Sequence, residues 1–267
     1  AIRAAEKFRP NFFTIYLPHL DYAAQKHGPD SEQARHALGE LDAEVEKLAT
    51  GMNAAYTDQK LVWLVASEYA IAPVEHVAHP NRMLRDAGML QVHETADGHV
   101  IDFATSDAWA LADHQLSHVF LRDPAPGHVA RVADVFRGAP GIADVLVRDD
   151  VAKFGVDHPR SGEGVLHSEP NSWQAYYWWT DEAEAPRFAR TVDIHRKPGY
   201  DPVELFFDPQ AKSIPLDATL VQGSHGAPAV DTSQRGVVLS TRSGVIQQEK
   251  VADVDIAPIV LRQFGLG

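Results

Sequence analysis

The chain of 267 residues contains no cysteine. That excludes disulfides, thiolate nucleophiles and thiolate metal sites, so any bound metal must be held by His, Asp or Glu. No apolar run approaches the roughly 18 residues needed to cross a bilayer. The opening AIRAAEKFRPNFF has neither the apolar core nor the cleavage site of a secretory signal. These absences lead to the expectation of a cytoplasmic protein. Basic residues are in deficit as well, with Lys+Arg 24 against Asp+Glu 37 and a formal net charge of −13. Binding to a phosphate backbone or an anionic membrane needs the opposite balance, so neither a nucleic-acid polymer nor a membrane is expected as a partner. G-x-G-x-x-G, G-x-x-x-x-G-K-[ST], H-E-x-x-H and G-x-S-x-G are all missing. Dinucleotide, P-loop, zincin and ordinary serine-hydrolase chemistry lose their signatures with them.

What is present is an ordinary globular composition, 45% hydrophobic and 23% charged, with 14 His. NFFTIYLP (11–18) is an apolar run between prolines and predicts a buried strand. Ala34, Leu38, Leu41, Val45, Leu48 and Met52 then recur at helical spacing, one stripe of a long amphipathic helix. KLVWLVASE (60–68) predicts a second buried strand. Strand, helix and strand in this order read as a parallel βαβ unit, whose ligands bind beyond the carboxyl ends of the strands. That directs attention to Asp21 and Glu68. Further on, PNRMLRDAGML and HVARVADVFRG predict helices closed by Gly88 and Gly138, LSHVFLR a strand, and DVDIAPIVLRQFG a terminal helix.

The stretch 139–215 has a different texture, with short strand candidates between Pro/Gly-rich loops. It predicts an inserted cap, leaving 1–138 and 216–267 as the core domain. The expected fold is α/β, a mostly parallel sheet with helices on both faces. The chain lacks an initial Met and its first strand candidate starts within a dozen residues, so it is expected to enter mid-domain. The abrupt join at DPQAKSIPLD leads to the expectation that residues are missing there too.

Three segments together resemble the alkaline phosphatase superfamily, in its type I phosphodiesterase/nucleotide pyrophosphatase branch. In YLPHLDYAAQKHGP (16–29), Tyr16, Asp21, Gly28 and Pro29 match the branch's aromatic-Asp-His-Gly-Pro turn in register, while Gln25 stands at the histidine position. In VASEYAIAPVEHVAHPNRMLRDAGML (65–90) the helix motif fits, and Glu68 and Tyr69 replace an Asp-His pair. In LVQGSHGAPAVDTSQRGVVLS, followed by VADVDIAPIVLRQFG, His225 matches the distal metal histidine.

The resemblance implies an alkaline-phosphatase-like fold and metal-dependent hydrolysis of a small phosphate ester, by up to two divalent ions, zinc or manganese. Substrates of this class are phosphodiesters, nucleotide pyrophosphates and related phosphonates. Asp21 and His225 are expected to ligate the same ion, with Glu68, His19, Asp113 and His114 as further candidate ligands. Tyr16 and Tyr69 are the substrate-binding candidates, although core packing accounts equally well for Tyr16. Gln25 offers only a carbonyl oxygen, His118 follows His114 by four residues, and Asp193 and His195 sit in the cap-like region. No nucleophile is identifiable. A relative that kept the fold as a binding or scaffold protein is the alternative, and too few clustered Arg and Lys disfavour a phosphoglycerate-mutase-like activity.

Overall fold

The computed structural model describes residues 1–193 and 195–266. Its helices are α1 (Ile2–Phe8), α2 (His19–His27), α3 (Glu32–Ala55), α4 (Pro80–Asp86), α5 (Pro126–Phe136), α6 (Asp149–Lys153) and α7 (Ile256–Gln263). The strands are β1 (Leu64–Ala66), β2 (Ala72–Pro73), β3 (His76–Ala78), β4 (Val92–Thr95), β5 (Gly98–Ile101) and β6 (Ala108–Asp113), followed by β7 (Leu116–Leu121), β8 (Ile142–Val147), β9 (Gly164–Ser168), β10 (Ser172–Gln174), β11 (Gly223–Ser224) and β12 (Val238–Ser240). None of the described helices is long and apolar enough to cross a membrane. The chain divides into two compact units: residues 1–21, 32–70 and 229–267, and residues 22–31 and 71–228.

The first unit is organised by α3. Met52 is buried and most of the predicted stripe is at least half-buried, although Leu38 stays exposed. The missing side chain at Gly51 leaves room for Ile2 of α1, and Ala5, Met52 and Tyr56 form a small core with Phe13 and Trp63. Segment 11–18 is not a strand. Phe13 packs into that core, Phe12 sets its ring edge-on to Phe264, and Tyr56 Oη donates to the Pro10 carbonyl at 2.6 Å. An apolar run becomes a strand only where another strand takes up its backbone groups, and 11–18 has no ladder partner among the described residues. The second predicted strand shrinks to β1, which pairs antiparallel with β12 through Val65↔Leu239. The βαβ reading therefore gives way to a local ribbon whose Val65 and Leu239 are exposed.

The second unit is built on a four-stranded sheet in the order β6-β7-β9-β8, antiparallel throughout. In β6 and β7 burial alternates residue by residue, the period-2 pattern of strands with one covered face. Val129, Val132 and Phe136 of α5 join Val119, Leu121 and Leu166 in the main core. Val165 and Leu146, on the opposite side of the same strands, pack against Val151 of α6. Strands β8 and β9 of this sheet come from within 139–215. The expectation of a mostly parallel sheet is corrected: β3 with β10 is the one parallel strand pair among the described strands. Tight connections decide the matter. Ala96-Asp97 turns β4 into β5 and His114-Gln115 turns β6 into β7, and hairpins of this kind join antiparallel neighbours without a crossover helix. The PVELFF segment likewise forms a 3₁₀ turn at 202–206 instead of a strand.

Tyr176, Tyr177, Trp178 and Trp179 follow β10 and are at most 2% exposed, with Tyr177 and Trp179 stacked at 4.4 Å. They have left the ladder, so their carbonyls need other donors. Asn81, fully buried on α4, meets that need. Its Nδ2 donates to Ala110 O and Tyr176 O, both at 2.9 Å, and its Oδ1 accepts from Ala110 N at 2.8 Å. Arg82 and Arg85 add bonds to the Trp179 and Trp178 carbonyls. Asn81→Ala strips partners from three buried backbone groups, each of which costs roughly 1–3 kcal/mol when left unsatisfied. The variant is expected to lose about 2–4 kcal/mol of stability, read as a fall in the urea midpoint followed by tryptophan fluorescence.

Candidate functional site

The predicted residues divide between the two units. In the first unit, Pro18 leads into α2, and Asp21 lies in its first turn, not in a loop beyond a strand. Tyr69 Oη donates to Asp21 Oδ2 at 2.8 Å. Burial raises the Asp21 carboxyl above the ordinary carboxylate range, and the Tyr69 hydrogen bond works against that rise. Burial and the adjoining Asp21 carboxylate hold the Tyr69 phenol well above its usual value, so it is a donor near neutral pH and not an anionic ligand. Glu68 is exposed. His19 is half-buried, and its enclosed Nδ1 has no hydrogen-bond partner among the described residues. Tyr16 is 74% exposed, which removes core packing as its explanation.

In the second unit the structure joins two histidines that are 111 positions apart in sequence. His114 occupies the β6–β7 turn at φ 56°, and His225 follows β11 directly. Gln115 N donates to His225 O at 2.8 Å and docks the two turns. Gly226, at φ 107°, turns the chain away beside Gln115. The two rings lie 3.8 Å apart, tilted by 33°. Tyr200 stacks on the other ring contact of His114 at 4.4 Å. Burial lowers the His114 pKa to about 3, helped by His225, and burial lowers that of His225 to about 4. Both imidazoles are therefore neutral at pH 7, the form with a lone pair to give.

Ser224 Oγ lies 3.5 Å from His114 Nδ1, and Asp113 Oδ1 3.8 Å from His114 Nε2. Ser224 is fully buried, so it orients the ring and is not placed to attack a substrate. If Nδ1–H donates to Ser224, Nε2 carries its lone pair beside the Asp113 carboxylate. Their 3.8 Å separation is wider than the ~3.3 Å between neighbouring ligands of a tetrahedral ion with bonds of about 2.0–2.1 Å, so the two side chains would have to draw together to share one. Gln25 is buried and accepts from Tyr200 Oη at 3.5 Å, while its backbone carbonyl accepts from Gln222 N at 2.8 Å. His118 Nδ1 accepts instead from Gly162 N. Asp193 and His195 are tied to each other through His195 N and Asp193 Oδ1.

The donor chemistry fits one imidazole-ligated divalent ion at His114 and His225 in part: among the described residues no three His, Asp or Glu side chains form a complete ligand group. The chemistry at Asp21 fits an ion less well, because a neutral phenol already occupies its carboxylate oxygen. Sequence reasoning named His114 and His225 separately and missed their pairing. It also missed Tyr200 and Ser224. The signals available were the glycines flanking each turn, in GSHG and PGYD.

The fold has counterparts among solved structures. Phosphonoacetate hydrolase from Sinorhizobium meliloti 1021, in complex with phosphonoformate, aligns with a TM-score of 0.53 at 14% identity, covering 95% of this chain and 52% of that one. Human ectonucleotide pyrophosphatase/phosphodiesterase 5 aligns with a TM-score of 0.57 at 12% identity, covering 91% of this chain and 51% of that one. The chain thus spans about half the length of these structures. No curated protein matches it. The sequence matches type I phosphodiesterase/nucleotide pyrophosphatase over residues 1–201, a range that takes in the first two motifs and ends before the third. On that match, with the α/β fold of its structural neighbours beside it, the chain belongs to the type I phosphodiesterase/nucleotide pyrophosphatase family.

Proposed function

We propose that this protein is a metal-assisted hydrolase of small phosphate esters, and that His114 and His225 hold its ion, zinc or manganese. Phosphodiesters, nucleotide pyrophosphates and phosphonates are the substrate class. The observation that carries the reading is the meeting of two neutral imidazoles from separate turns, buried His114 and half-buried His225, 3.8 Å apart and tilted by 33°. A bound ion supplies Lewis-acid polarisation of a phosphoryl oxygen. The chain's own residues do the rest. Burial keeps both rings unprotonated, and their partial withdrawal from solvent strengthens electrostatic contacts with an anionic ester. Ser224 orients His114, and Asp113 adds a carboxylate at its Nε2 edge. His114 thereby supplies the imidazole that Gln25 does not.

A second reading, a relative that binds phosphate esters with little turnover, draws support from the Asp21–Tyr69 bond. That bond engages the carboxylate which the family resemblance assigns to a metal.

Elemental analysis after dialysis against zinc, combined with hydrolysis of bis(4-nitrophenyl) phosphate, tests both readings. His114→Ala and His225→Ala are each expected to weaken zinc binding and lower turnover by at least about tenfold, as loss of a metal-supporting residue typically does. Undiminished zinc in both variants defeats the ligand assignment. Tight ester binding by the wild-type protein without turnover favours the second reading.

Metal-free protein carries a further signature. His79, His114 and His225 are held at about 3, about 3 and about 4, mainly by burial. The unfolded chain, with ordinary histidines near 6.5, then binds up to three more protons below that pH. Stability is expected to be full above about pH 7.5 and to fall progressively as the pH drops through 6.5 toward 4. Urea midpoints across that range check the slope, which should flatten in the double variant lacking His114 and His225.

A further inference from the structure

The segment from Lys197 to Asp201 crosses the second unit close to the imidazole pair, and both of its ends are fixed. Lys197 Nζ is fully enclosed, 2.9 Å from Asp201 Oδ2 and 2.7 Å from Glu204 Oε1. An enclosed ammonium is tolerated only with such partners, because removing one leaves an uncompensated charge inside the protein. The ion pair joins residues four apart, so it closes the intervening residues into a short loop. Within that loop Gly199 takes φ 124°, and a Cβ there would overlap the Ala112 carbonyl oxygen. That carbonyl accepts from Tyr200 N at 3.1 Å. The backbone of the loop therefore lies directly on the end of β6, two residues before His114 in the turn. Its one aromatic side chain, Tyr200, lies against His114 with rings 4.4 Å apart and 25° from parallel.

His114 needs such support. It sits on a left-handed backbone at the tip of a hairpin, and one of its faces is given to His225. We propose that residues 197–201 form a strap, anchored by the enclosed Lys197 ion pair, whose Tyr200 is a positioning residue that holds the His114 imidazole in register with His225. The proposal rests on reading His114 and His225 as ligands, and it adds a residue and a segment to which that reading assigns nothing. Tyr200 touches neither substrate nor ion in this role. It acts through ring contact with His114, while its hydroxyl reaches Gln25.

The full chain, labelled at histidine Cε1, provides two readouts: zinc affinity by competition with a chromophoric chelator, and the His114 resonance in metal-free protein. Stacking on Tyr200 shifts that resonance upfield by ring current whether or not zinc binds. Tyr200→Ala is expected to move it toward the position of a solvent-exposed histidine and to weaken zinc about tenfold, the lower end for loss of a supporting residue around a metal ligand. Tyr200→Phe keeps the ring and is expected to leave the His114 resonance near its wild-type position and zinc affinity within about twofold of wild type. Lys197→Met, where it folds, should reproduce the alanine phenotype, and where it does not, the two Tyr200 variants decide. An unmoved His114 resonance with undiminished zinc affinity in Tyr200→Ala overturns the strap. So does a phenylalanine variant that behaves like alanine, or a folded Lys197→Met with wild-type affinity. If wild-type protein takes up no zinc, the ligand reading has failed by itself, and the resonance still decides whether Tyr200 positions His114.

Discussion

Much of the larger unit depends on a single amide. Asn81 satisfies the backbone of β6 and the first carbonyl of the aromatic run with one side chain, inside a region from which water is excluded. Four large rings in succession bury much area, which favours folding, but they also carry peptide groups into the core. A helix placed to answer those groups resolves the conflict, and α4 does so with the adjacent Asn81 and Arg82 and, one turn on, Arg85. The sheet end that α4 thereby fixes is the one from which the His114 turn projects.

Elements whose evidence is internal were legible in the sequence. α4 and α5 carry their own periodicity and punctuation, with Pro80 and Gly88 around one and Gly138 after the other, and both stand where predicted. Strand β7 shows in LSHVFLR because its alternation matches a half-buried pleat. Segment 11–18 looks as strand-like as β7 but lacks a ladder partner among the described residues, and no local pattern records whether a partner exists. Parallel or antiparallel pairing is likewise a property of connections. The hairpin turns were short enough to read, yet the apolar weight of 11–18 and 60–68 drew the reading toward a crossover.

The site divides along the same line. His225 was visible because glycines on a tight turn mark close backbone approach. Asp113 and His114 were visible as chemistry but not as location, since nothing in ADHQ says which distant turn it will meet. Tyr200 was invisible as a functional residue, for an aromatic next to Pro-Gly reads as a loop residue. The two departures from the family pattern also take on physical meaning. Gln25 is committed to interior hydrogen bonds, and Tyr69 is a proton donor whose natural partner is a carboxylate, so each makes its neighbourhood less dependent on a metal and more on hydrogen bonding.

The left-handed backbone at His114 has an evolutionary side. A side chain in that region gives up roughly 1 kcal/mol relative to glycine, although histidine, like asparagine and aspartate, is met there more often than branched residues. Drift toward stability alone would thus replace the histidine, and the hairpin would gain by the exchange. A lineage that keeps an imidazole at this turn is trading ruggedness for chemistry, a compromise that proteins accept chiefly where a site is in use.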